Sequence, residues 1–263
     1  MLRMTTRLKI AAALVATSFH AVWADDVTLL DTPVKVTATF TGLDEGGYAA
    51  QIGVLNGPIT QLVHSVLRTD STANAQRLLR KQVLWRAPYL FVHSSCGGGR
   101  GLRCEGEAVF KVTDGVAMRL GDVIGTVSTI YAQGHFIDVY DKLDTQLRLT
   151  LQTTPSFAIV LDDVNGKLAV NAPATWSRNA AAWQANADLM ANTRPSGGDM
   201  APQYLTALLS NAALARYCNR SEELQALLSM EKLTLSADQM QLVTDTLAKV
   251  IPMELPKAWR SPY

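Results

Sequence analysis

The sequence predicts an α+β fold, with antiparallel strands first and helices afterwards. Apolar residues recur with a period of two from Thr32 to about Val170, and beyond Pro173 the period becomes that of a helix. Two Asx-Gly pairs, Asp114-Gly115 and Asn165-Gly166, lie between alternating runs, where tight hairpin turns form. The division this implies is a leader over 1–24, an antiparallel β-rich domain with one short inserted helix over 25–172, and an α-helical C-terminal unit over 173–263.

Val34, Val36, Ala38 and Phe40 alternate with Lys35, Thr37 and Thr39, the pattern of a half-buried strand. Turn residues from Gly42 to Gly47 send the chain back, and Tyr48, Ala50, Ile52 and Val54 resume the alternation until Asn56-Gly57-Pro58 stops it. Gln61 to Leu67 fits a strand or a helix, since its periodicity favours neither. Asp70 to Lys81 reads as one short helix. Ser71 or Thr72 can cap it, and Arg77, Arg80 and Lys81 crowd the end where cations suit the macrodipole.

Val83-Leu84-Trp85 is followed by a break at Pro88, and Pro88 to Val92 and Glu107 to Val112 read as strands. The second forms a hairpin with Val116 to Leu120 around Asp114-Gly115; Ala108, Phe110 and Val112 share one face, and Gly121-Asp122 is expected to end the returning arm. Val123 to Ile137 is mixed, broken at Gly134-His135, and Leu147, Leu149 and Leu151 alternate on a further strand. Phe157 to Leu161 and Lys167 to Val170 make a second hairpin around Asn165-Gly166. Its first arm is apolar on both sides, as a central strand is.

In the helical unit, Thr175 is expected to cap a helix with Trp176, Ala180, Trp183, Ala187 and Met190 on one face, the two tryptophans welding it to the sheet. Arg194 to Gly198 is a linker. Asp199 opens a second helix that sends Tyr204, Leu208, Leu214 and Cys218 to a core and ends at Asn219. Ser221 is expected to cap a short third helix through Leu228. Ser236 with Gln239 is a capping-box pattern for the last helix, with Met240, Val243, Leu247 and Val250 as its stripe and Pro252 as its stop.

The first 24 residues have the three parts of a secretory signal: Arg3, Arg7 and Lys9, then an apolar run from Ile10 to Thr17, then Val22-Trp23-Ala24. That run is too short to span a bilayer, so the expectation is a periplasmic or secreted protein with no membrane span after cleavage. The full chain carries 24 Lys plus Arg against 23 Asp plus Glu; losing three cations and no acids leaves the exported part slightly acidic. No basic block survives, which argues against nucleic acid as a partner.

The stretch with the most chemical content is Cys96-Gly-Gly-Gly-Arg-Gly-Leu-Arg-Cys104, between two predicted strands. In an oxidising compartment Cys96 and Cys104 are expected to form a disulfide, worth about 2.5 kcal/mol in the chain-entropy model, that displays Arg100 and Arg103 on a closed loop. Gly98 and its neighbours could add backbone N–H donors for an anion. Oxidised thiols cannot ligate, so His93, Cys96, Cys104 and Glu105 are not read as a metal site; Cys218 is the leftover, a buried free thiol. His135 with Asp138 or Asp141 is the densest group suited to acid–base work, whereas Asp162-Asp163 reads as a pair of turn-stabilising acids. Gly-x-Ser-x-Gly, His-Glu-x-x-His and EF-hand patterns do not occur, and no cofactor is implied.

The function expected from these residues is a non-enzymatic binding or accessory module of the cell envelope that acts through the Gly/Arg loop. Its partner would be another envelope protein or a small anionic ligand. An envelope hydrolase using His135 with Asp138 or Asp141, and an inhibitor or immunity-type protein, are the alternatives.

Overall fold

The computed structural model describes residues 27–31, 34–43, 47–56, 59–67, 71–94, 106–123, 136–140, 156–194, 202–232 and 234–255. Among them antiparallel sheets fill the N-terminal part and most helices lie C-terminal, so the chain is α+β. The first sheet is a meander of β1 (Val27–Asp31), β2 (Lys35–Gly42), β3 (Tyr48–Asn56) and β4 (Ile59–Leu67). Its inward residues are those the alternation selects. Val36, Ala38 and Phe40 stand opposite Val54, Ile52 and Ala50, and all six are buried. Gln61 to Leu67 is strand because β3 pairs with it residue for residue from Tyr48↔Leu67 to Asn56↔Ile59. Helix α1 (Thr72–Gln82) follows, with the Ser71 hydroxyl accepting the Asn74 N–H at 3.3 Å.

The second meander runs β5 (Val83–Arg86), β6 (Tyr89–Ser94), β7 (Gly106–Thr113) and β8 (Val116–Val123). Asp114 and Gly115 take positive φ of 53° and 76°, the two-residue turn their sequence predicts. Gly121-Asp122 does not end β8. A bulge opposite Val109 and Phe110 absorbs Leu120 as an extra residue, and the strand continues to Val123. The bulge also swaps the faces: Ala117 packs under the first sheet, but Val123 packs on the other side. This middle sheet is therefore apolar on both faces. Leu90, Val92, Ala108 and Phe110 join the first sheet and α1 in one core, while Tyr89, Phe91 and Val109 belong to a second core completed by the rest of the chain.

The third sheet has the order β11-β10-β9, from β9 (Phe136–Tyr140), β10 (Phe157–Val164) and β11 (Lys167–Val170), so β10 is central as its apolar run predicts. Five helices follow: α2 (Ala172–Arg178), α3 (Ala180–Asn192), α4 (Pro202–Tyr217), α5 (Ser221–Glu231) and α6 (Ala237–Ala248). Thr175 is not a cap. Asn171 is, its Oδ1 accepting the Ala174 N–H at 2.9 Å, with Pro173 inside the first turn. The helix then breaks at Asn179, which leaves Ala180 exposed. Ser221 makes no cap either; Arg220 occupies that position without a side-chain bond, and α5 runs past Leu228 to Glu231. The Ser236–Gln239 capping box forms as predicted, and Val243, Leu247 and Val250 are buried. Asp199 lies outside the described residues; from Tyr204 to Tyr217, α4 is buried nearly all round, making it the central helix.

Thr175 and Asn179 have another task. β11 stops at Val170, so the outward amides of β10 at Ala158 and Val160 have no strand partner among the described residues. The Asn171 N–H continues the ladder to Val160 O at 2.9 Å. Beyond it, Thr175 Oγ1 accepts the Val160 N–H at 2.9 Å, Asn179 Oδ1 accepts the Ala158 N–H at 3.0 Å, and Asn179 Nδ2 donates to Ala158 O at 2.8 Å. Two side chains one helical turn apart thus complete a sheet edge, and the backbone demand for partners is met without a further strand.

Candidate functional site

Most of the candidate site residues lie outside the described residues: Cys96, Gly98, Arg100, Arg103 and Cys104 in the loop, and His135 and Asp141; so do residues 1–24 and the 147–151 run. Asp138 is placed by its backbone in β9, opposite Ile159 of β10. Cys218 is a free, buried thiol at the end of α4; burial pushes it up to about 11, only partly opposed by the Arg220 charge. At that value it is protonated and unreactive at neutral pH. Asp163 does stabilise its turn, Oδ1 accepting the Gly166 N–H at 3.1 Å, and it also reaches across to β7, Oδ2 accepting from Lys111 Nζ at 2.7 Å.

For the loop, the described part is its base. β6 and β7 pair without a register shift from Tyr89↔Lys111 to Ser94↔Gly106, the residues immediately flanking the loop. Their faces alternate between the two cores, so the base is held from both sides.

A second site is built by the helices and was not apparent in the sequence. A cleft of about 420 Å³ opens between α3, α4 and α5. Trp183, Met190, Leu227 and Met230 give it apolar walls; Arg194, Asn211, Glu223 and Glu231 are its polar groups, with Glu223 ion-paired to Arg220 at 3.6 Å. Trp183 is braced by Trp176, their ring centroids 4.9 Å apart; they lie on two helices parted at Asn179, and both pack against the core that includes Phe157, Ile159 and Leu161 of the sheet. Asn211, 1% exposed, donates to Trp183 O at 3.0 Å and accepts from Asn186 at 2.9 Å, which locks α3 against α4.

Glu231 is the unusual member. It closes the last turn of α5, where the macrodipole disfavours an anion, and it is 4% exposed. The Tyr204 hydroxyl, itself fully buried, donates to its Oε2, and Arg194 lies 3.5 Å from Oε1. Burial lifts the carboxyl above the ordinary glutamate value; the charge and hydrogen bond of Arg194 pull the other way but do not cancel it. The signal for this residue was present in the spacing. Leu224, Leu227, Leu228 and Glu231 form one helical stripe, so a carboxylate falls where an apolar residue belongs. Ending the helix at Leu228 hid it.

Among the described residues no three His, Cys, Asp or Glu side chains gather as a metal site, and no helix is long and apolar enough to cross a membrane. Comparison with protein-family models, curated proteins and solved structures finds no match for this chain.

Proposed function

We propose that the chain is an exported, non-enzymatic binding or accessory module whose working surface is the Gly/Arg loop between β6 and β7. The register of those two strands carries the reading. If the register were continued two steps beyond Ser94↔Gly106, residues 96 and 104 would stand opposite each other. Opposed residues of an antiparallel pair have Cα atoms about 4.5–5.5 Å apart, within the span a disulfide bridges. A bond there would turn a four-glycine excursion into a closed loop carrying two guanidinium groups, suited to an acidic surface on an envelope protein or to a small anion.

The test has two parts. Intact mass of the mature, unreduced protein should rise by about 2 Da on reduction, as one disulfide requires. Arg100→Ala with Arg103→Ala should lower capture of the envelope partner by the immobilised full chain at least about tenfold, with the melting temperature nearly unchanged because surface changes away from packed features cost little. Two free thiols at 96 and 104, or unaltered capture, overturn the reading. Loss of catalytic activity in a captured enzyme would identify the inhibitor variant of the same function.

A further inference from the structure

The geometry points to a second, unassigned site: the cleft between α3, α4 and α5 takes a small hydrophobic monocation, an alkyl or aryl ammonium, with its head group at Glu231 and its apolar body along Trp183, Met190 and Leu227. This site is independent of the loop. Three observations carry it. The volume of about 420 Å³ lies in the range of small-molecule pockets. The walls are apolar, so the body of the ligand must be too.

The third observation is the asymmetry of charge. The Glu231 side chain is 6% exposed, whereas that of its partner Arg194 is 51% exposed. An acid held out of water beside a base that remains in water gives the interior of the cleft a negative field, because solvent screens the arginine and not the carboxylate. The Tyr204 hydroxyl holds Oε2, which leaves Oε1, only loosely engaged by Arg194 at 3.5 Å, as the acceptor for an incoming N–H donor. Trp183 also lines the cleft, and an ammonium group is attracted to an aromatic ring. An anionic ligand would meet the buried carboxylate; a neutral one would add no countercharge to that of the loosely held Arg194.

Titration calorimetry of the full chain with n-octylammonium, n-octanol and n-octanoate, all below their micellar range, tests this directly. Octylammonium should bind at least about tenfold more tightly than octanol, octanoate should bind least, and Glu231→Gln should erase the preference. Equal or tighter binding of octanoate, no measurable heat with octylammonium, or a preference that survives in folded Glu231→Gln overturns the proposal. If Glu231→Gln does not fold, Ala187→Phe decides: Ala187 lines the cleft, and a phenyl group there should block octylammonium without touching the carboxylate.

Discussion

Replacing Asn179 by alanine tests whether helix side chains truly complete the β10 edge. Asn179 is 6% exposed and makes three bonds: it accepts the Ala158 N–H at 3.0 Å and donates to Ala158 O at 2.8 Å and Thr175 O at 2.7 Å. The Thr175 carbonyl also accepts the Asn179 N–H within the helix, so its loss matters least. The two Ala158 groups have no strand on that side to fall back on. At about 1–3 kcal/mol for each buried group left unsatisfied, and allowing for water reaching this partly buried site, Asn179→Ala should cost roughly 3 kcal/mol. Asn179→Asp sharpens the test. It keeps the acceptor for the Ala158 N–H but turns a carboxylate oxygen toward two carbonyls, so it should be at least as damaging as alanine. Thr175→Val, nearly equal in shape, removes only the hydroxyl and should cost about 1–2 kcal/mol. Urea denaturation reads these as shifts in midpoint at constant slope. Values below about 0.5 kcal/mol for both Asn179 variants, the range of ordinary surface substitutions, would refute the edge argument.

Other outcomes follow from the same contacts. The carboxyl of Glu231 is raised by burial, so between its unfolded and folded titration the native state holds the extra proton and stability falls as pH rises through that window. Glu231→Gln should flatten melting temperature against pH above the ordinary glutamate titration; an unchanged slope would show that the group titrates normally. Leu208→Ala empties a fully buried position in the central helix and should cost about 2–5 kcal/mol in urea unfolding. Asp163→Ala loses the Gly166 cap and the Lys111 bond together; with Lys111 partly exposed, about 1–3 kcal/mol is expected, and Lys111→Met alone should cost less.

What the sequence made legible was local. Asp114-Gly115 and Asn165-Gly166 adopt positive φ because of their own chemistry, and the Ser236–Gln239 box needs only its own helix end. Misreadings arose where a distant partner decides. Gly121 and Asp122 look like a strand end, yet the bulge opposite Val109 keeps them in β8, and a Cβ on Gly121 would stand 3.3 Å from Leu168 Cδ1 on the neighbouring sheet. Thr175 has the composition of a cap, but its hydroxyl is committed to Val160, so Asn171 takes the capping role. The Glu231 cleft depends on Tyr204 and Arg194, which lie on other elements and share no spacing with it in the chain.

The two proposed sites rest on different parts of the fold. Its β6–β7 ladder is packed on one face by the first sheet through Leu90, Val92 and Phe110, and on the other by the second core through Tyr89, Phe91 and Val109. Strand ends emerging from a ladder buried on both faces have little freedom to tilt, because any tilt opens space in one core and compresses the other. The ladder that ends at Ser94 and Gly106 is therefore fixed by packing on both of its faces. The helical cleft draws on a different set of supports: the Asn186–Asn211–Trp183 bonds between α3 and α4, and the Tyr204–Glu231 bond between α4 and α5. Tyr204 belongs to the same second core as Tyr89, Phe91 and Val109, but Arg100 and Glu231 lie far apart in sequence and on different elements, so substitutions at them should act additively on stability, within about 0.5 kcal/mol. A larger coupling between Arg100→Ala and Glu231→Gln would mean that the sheet transmits strain between them.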